Sequence, residues 1–184
     1  MQTLSRFAAW IGGAGLLISA IMVTADVLSR KFLGVTMSGS DEYTGYVFAA
    51  ATTWAYSYCV MHRSNVRIDA LYNLMPMSVR AVLDIVGLVL LLIFMSVLLL
   101  QSWEVFATSW RQDSVSVTTL ATPLWIPQLA WVSGLIMLEI TLIFAIVHAS
   151  AALFTGDIAK VQALAGTMSV QDEIREGTRG MGID

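Results

Sequence analysis

Four long apolar stretches, at about residues 7–33, 43–61, 79–110 and 125–154, follow one another along the chain with polar stretches between them. Each is long enough for a helix to cross hydrocarbon roughly 30 Å thick, which takes about 17 residues or more. The polar stretch at the centre, MHRSNVRIDALYNLMP over 61–76, divides the four into two pairs, so the chain reads as two helical hairpins hinged there. Arg63, Arg67 and Asp69 lie in this stretch and Arg80 follows closely. After Arg67 the apolar residues Ile68, Leu71, Tyr72 and Met75 fall at i, i+3, i+4 and i+7, which predicts a short amphipathic helix over about 67–75. Too short to span, it suits a segment lying along a membrane surface with its arginines towards the headgroups. The pattern therefore predicts an all-α integral membrane protein: four transmembrane helices, one surface helix between the second and third, and a polar cytoplasmic tail over 155–184.

The stretches differ in character. Arg6 ahead of the first apolar run gives it some likeness to a signal peptide, but the run is longer than a signal core. It reads as a first spanning helix, with Ala8, Gly12, Gly15 and Ser19 forming a small-residue face for close helix approach. Gly12-Gly13 is accordingly read as packing rather than as a hinge. Asp26 and Arg30 stand one turn apart near its far end. Two readings apply: an intrahelical ion pair with Arg30 and Lys31 snorkelling outwards, or an ion or proton site at Asp26. The spacing favours the pair.

Ser40 before Asp41 and Glu42 predicts a capped second helix whose acids complement the dipole. Ala49, Ala50, Ala51, Thr52, Thr53, Ala55 and Ser57 give that helix a smooth surface suited to protein contact. The third stretch begins after Pro76 and Ser78 and is too long for the hydrocarbon core, so it must tilt or protrude. Pro123 and Pro127 open the fourth, where proline is tolerated, and Trp125 and Trp131 suit an interfacial belt. Glu139 falls near the bilayer midplane at 1.5 Å rise per residue. It either glues helices through a hydrogen bond, for example to Thr or Ser on the second helix, or belongs to a coupling-ion site. The absence of a second central carboxylate in the sequence favours glue.

Composition narrows the class. Charged residues make up 12% of the 184 residues and apolar ones 57%, too little charge to cover a soluble domain of this length. The net charge of −3 gives no basic footprint for nucleic acid. A single cysteine, Cys59, excludes a disulfide framework or thiolate metal site within the chain. Two histidines, His62 and His148, argue against a haem-bearing bundle with paired axial ligands. Arg6, Arg63, Arg67, Arg80, Lys160, Arg175 and Arg179 fall on one side of a four-span arrangement, against Arg30, Lys31 and Arg111 on the other. The positive-inside rule places both termini and the central hinge in the cytoplasm. No phosphate-binding glycine loop, HExxH or activated nucleophile is present in the sequence, so no catalytic, cofactor-binding or metal site is expected. Four helices offer little room for an alternating-access repeat pair, which points to a partner.

VLSRKF around Arg30, SDEY with Glu42, NVRIDALYNLMP through Asp69 and Pro76, and ATPLWIPQ through Pro123 and Pro127 occur in order along about residues 7–150. In these the chain resembles the small membrane subunit, the Q type, of the tripartite ATP-independent periplasmic transporters. One departure is Asn65, where the family often has histidine in a His-Val-x-x-Asp pattern; no role of that histidine carries over. The resemblance implies a bacterial inner-membrane, non-catalytic subunit of a sodium-coupled secondary transporter for organic acids. Its partners would be a large multi-span transporter subunit, a periplasmic substrate-binding protein and membrane lipids. It would brace the large subunit and help dock the binding protein. Arg30 and Glu42 would lie on the periplasmic face and Arg67 and Asp69 would form an orienting pair at the cytoplasmic surface. The rival reading is a self-sufficient, homodimeric, proton-coupled transporter using Asp26 or Glu139.

Overall fold

The computed structural model describes residues 2–36, 38–62, 75–156 and 161. Among them the chain is helical: α1 Gln2–Phe32, α2 Ser40–Met61, α3 Met77–Arg111 and α4 Trp125–Phe154. One helix covers each expected apolar stretch. The surface helix expected over 67–75, with Arg67 and Asp69, lies outside the described residues, as does nearly all of the 155–184 tail.

The helix limits follow from local chemistry. Arg30 and Lys31 in the last turn of α1 complement its carbonyl end, and Gly34 then takes a left-handed conformation (φ 67°) that other residues disfavour. Asp41 and Glu42 occupy the first turn of α2, where negative charge is favoured. Pro76 precedes α3, and its carbonyl accepts from Arg80 N at 3.1 Å. Pro123 lies just ahead of α4 and Pro127 in its first turn, where no helical N–H is lost.

Three helices, α1 (from Ser5), α3 and α4, are long and apolar enough to cross a membrane. The shorter α2 is not among them. Its first turn is charged and its body carries Thr44, Thr52, Thr53 and Ser57. The threonine hydroxyls bond back to carbonyls one turn earlier, Thr44 to Ser40 O at 2.8 Å and Thr52 to Phe48 O at 2.7 Å. They therefore need no solvent.

The chain divides into two compact units, Met1–Tyr58 with Ile93–Thr141, and Cys59–Leu92 with Leu142–Asp184. In the first, the small residues foreseen on α1 face inwards: Ala8 and Ser19 are buried, and Gly12 lies against Ala51 of α2. A Cβ on Gly12 would come within 3.1 Å of the Ala51 Cα, and one on Gly15 within 3.0 Å of Val47. Gly13 differs from its neighbour: a Cβ there meets nothing within 4 Å. The packing reading thus holds for Gly12 and fails for Gly13, which points off the α1–α2 contact.

The α2–α4 contact is closer still. Gly134 fits against Thr53 and Trp54, and Trp54 Nε1 donates to Ala130 O at 2.9 Å and Ser133 Oγ at 3.1 Å. In the second unit Ala81, Ala152 and Val161 form a buried cluster with Ile85 and Leu153 packed on it. Large apolar side chains such as Leu90, Phe94 and Val97 on α3 are more than half exposed. That inversion suits lipid or a partner subunit rather than water.

Candidate functional site

The polar residues of the first unit collect where α1 runs into α2. Asp26 is 1% exposed. Its Oδ2 accepts from Arg30 Nη2 at 2.6 Å and from Ser40 Oγ at 3.2 Å, and its Oδ1 accepts from Thr36 Oγ1 at 3.3 Å. The ion-pair reading of Asp26 and Arg30 is therefore the one the geometry favours. Three donors around a carboxylate satisfy charge that burial alone would penalise. Ser40, expected to spend its hydroxyl as a helix cap, donates it to Asp26 and so ties the start of α2 to α1. The Arg30 side chain is 57% exposed, so this charge is offered outwards while Asp26 holds it by one nitrogen.

Glu42 sits two residues further on. It lies in the first turn of α2, as the helix-end reading expected, and its carboxylate also receives hydrogen bonds from two directions. Thr118 Oγ1 donates to Oε2, and Tyr46 OH donates to Oε1 at 2.7 Å. Thr118 belongs to the loop between α3 and α4, which folds on itself. Val115 and Pro123 form an isolated antiparallel bridge, Ser116 N donates to Thr122 O at 2.9 Å, and Thr122 N returns a bond to Ser116 Oγ at 3.2 Å. Ser38 and Thr119 share a hydroxyl–hydroxyl bond of 2.5 Å, and Leu120 packs on Gly39, whose φ of 94° has no room for a side chain. The two loops are thus joined at three points.

The hydroxyl of Thr118, then that of Tyr46, stabilises the ionised form of Glu42 and lowers its pKa from 4.5 to about 2. In the unfolded chain the group takes up a proton as pH falls below about 4.5, whereas the folded chain resists down to about 2. The loop contacts are therefore fully effective above pH 4.5 and are lost as pH falls through 2. Melting the detergent-solubilised protein at steps from pH 6 to pH 2 should show wild type losing stability more steeply than Glu42→Gln below pH 4.5. Parallel curves for the two would show that the carboxylate does not hold the loops.

Glu139 lies on α4 facing α3. Ser96 Oγ donates to its Oε1, and Oε2 is buried without a hydrogen-bond partner among the described residues. The helix-gluing reading is supported, with a correction: the partner is Ser96 of α3, not a hydroxyl of the second helix. The hydroxyls of Thr44, Thr52 and Thr53 on the second helix are already engaged with carbonyls of their own helix. At the polar end the same two helices meet through aromatic rings, Trp110 against Trp125 edge-on at 4.9 Å between centroids.

Some functional candidates were not picked out in the sequence. Thr36 and Thr118 gain meaning only as donors to carboxylates distant in the chain, although the run SVSVTTLATP is rich in hydroxyls. Asp84, early in α3, is 1% exposed and engaged within the structure. An acid just inside a leucine-rich stretch was a usable signal for it. Arg67 and Asp69 cannot be related to this arrangement, being outside the described residues.

No curated protein and no solved structure matches the chain. Residues 19–154 match the family described as tripartite ATP-independent periplasmic transporters, DctQ component. The matched region begins inside α1, ends with α4, and contains the Asp26–Arg30 pair, Glu42 with its loop, and the Ser96–Glu139 contact. The chain is a membrane transport component, and it belongs to the DctQ family of the tripartite ATP-independent periplasmic transporters.

Proposed function

We propose that the chain is the non-catalytic small subunit of a sodium-coupled transporter for organic acids in the bacterial inner membrane. It braces the large multi-span subunit and helps dock the periplasmic substrate-binding protein. All four helices span the membrane, α2 included, with both termini cytoplasmic; the excess of basic residues on that side supports the orientation. Arg67 and Asp69 remain proposed as an orienting pair at the cytoplasmic surface.

The observation that carries this reading is the joined pair of loops at the outer ends of the helices. Glu42, Thr118, Ser38 and Thr119 fix a polar surface, and the Asp26-held Arg30 stands beside it. A scaffold that must receive a folded partner benefits from loops already ordered, because ordering them on contact would weaken binding. The self-sufficient proton-coupled alternative finds no support: Asp26 is neutralised by Arg30, and the family is a component of a tripartite system.

Affinity purification of the chain from its native membrane in mild detergent tests the proposal. A multi-span protein should accompany it in fixed stoichiometry, and Glu42→Lys should leave that assembly intact while lowering binding-protein-dependent uptake. Recovery of the chain alone as a dimer that moves protons across vesicles would overturn it.

A further inference from the structure

A groove of about 460 Å³ runs along α1 beside its contact with α2. Its lining residues Arg6, Trp10, Gly13, Ala14 and Leu17 recur at helical spacing, and Tyr58 of α2 forms the opposite wall. Gly13 and Ala14 make a flat apolar floor. Trp10 and Leu17 rise from it, 71% and 65% exposed. Arg6 closes one end, and it has no hydrogen bond or ion pair among the described residues. From Arg6 to Leu17 the trough is about 16 Å long at helical rise.

We infer that this groove binds an anionic glycerophospholipid lengthwise, its phosphate at Arg6 and an acyl chain on the Gly13–Ala14 floor. The inference rests on α1 spanning the membrane. Charge complementarity selects the occupant: a cation at the mouth of an apolar trough matches a molecule whose anion and hydrocarbon are covalently joined. The aromatic rings of Trp10 and Tyr58 suit the headgroup boundary, where such rings concentrate. Gly13 supplies the second reason. A glycine inside a helix costs stability relative to alanine, and here no internal contact requires it. Its missing side chain is what keeps the floor open. A facing helix from another protein could use the floor but would leave Arg6 without a counter-charge unless it carried an acid at that level.

The test uses the full chain with whatever subunit accompanies it, delipidated by detergent exchange. It is titrated with phosphatidylglycerol or with phosphatidylcholine of the same acyl chains, and retained lipid is counted by native mass spectrometry. Wild type should retain phosphatidylglycerol about five-fold more tightly, the effect of one basic contact with anionic lipid. Arg6→Gln should remove this preference and Arg6→Lys keep it. Gly13→Leu, which fills open space, should abolish retention of both lipids, and Ala14→Leu on the same floor serves if Gly13→Leu does not fold. Equal retention of the two lipids by wild type, or an unchanged preference in Arg6→Gln, would overturn the inference. So would displacement of the lipid by inorganic phosphate alone, which would make the site a bare anion site. Loss of the accompanying subunit in Gly13→Leu, with lipid kept, would assign the groove to that subunit instead.

Discussion

Gly134→Leu is expected to separate α2 from α4 and to leave little monodisperse protein after detergent extraction. A Cβ at Gly134 would lie 2.3 Å from Thr53 Oγ1, 2.5 Å from Trp54 Cδ1 and 2.7 Å from Thr53 Cβ. None of these atoms yields easily. The Thr53 hydroxyl bonds the carbonyls of Ala49 and Ala50 at 3.0 Å, and the Trp54 indole is fixed by its bonds to Ala130 and Ser133. Overpacking a close contact costs about 1–3 kcal/mol for modest insertions and more when backbones must part. Even Gly134→Ala should lower the melting midpoint. Gly87→Ala on α3, where a Cβ meets nothing within 4 Å, should be neutral or slightly stabilising. Size-exclusion profiles of the three variants separate these outcomes. A Gly134→Leu protein that elutes like wild type would show that α2 and α4 do not depend on this approach.

The second large effect concerns Arg30. Replacing it with glutamine takes the charged donor from the buried Asp26, which keeps the Thr36 and Ser40 hydroxyls, and a carboxylate stripped in this way loses about 2–3 kcal/mol. The exposure of Arg30 keeps the loss to this range rather than that of a fully enclosed pair. Asp26→Asn should cost less than Arg30→Gln. It leaves no buried anion behind, and the amide oxygen still accepts from a hydroxyl. The double variant should then be less destabilised than the sum of the two, because the second change removes the charge that the first exposed. Thermal melts of the four proteins in one detergent give the cycle. Simple additivity would mean that Arg30 does not act through Asp26.

The helices were legible because the chain's periodicity is carried by long apolar runs. The limits of α4, for instance, follow from Pro123, Pro127 and Trp125, and those of α2 from the Asp41–Glu42 turn and the polar stretch after Met61. Asp26 with Arg30 was also readable, since a pair four residues apart on a helix meets whatever the tertiary structure does. Glu42 and Glu139 were not. Their partners, Thr118 and Ser96, lie 76 and 43 positions away, and sequence spacing carries no register between separate helices. Gly12 and Gly13 show the same limit within one dipeptide. Composition marks both as small, but only the direction of each Cβ separates the residue that packs from the one that opens a groove.

The length of α3 has a mechanical consequence. Its 35 residues make a rod of about 52 Å at helical rise, with no proline to act as a joint. A tilt of about 40°, the upper end for membrane helices, still leaves it some 10 Å longer than hydrocarbon of about 30 Å. Part of the rod therefore stands clear of the hydrocarbon. A turn of only about 5° about one end carries the other sideways by about 4–5 Å, nearly one helical pitch. Such a rod converts slight rocking at one membrane face into a displacement of side-chain size at the other, much as a long pointer magnifies the movement of a short pivot.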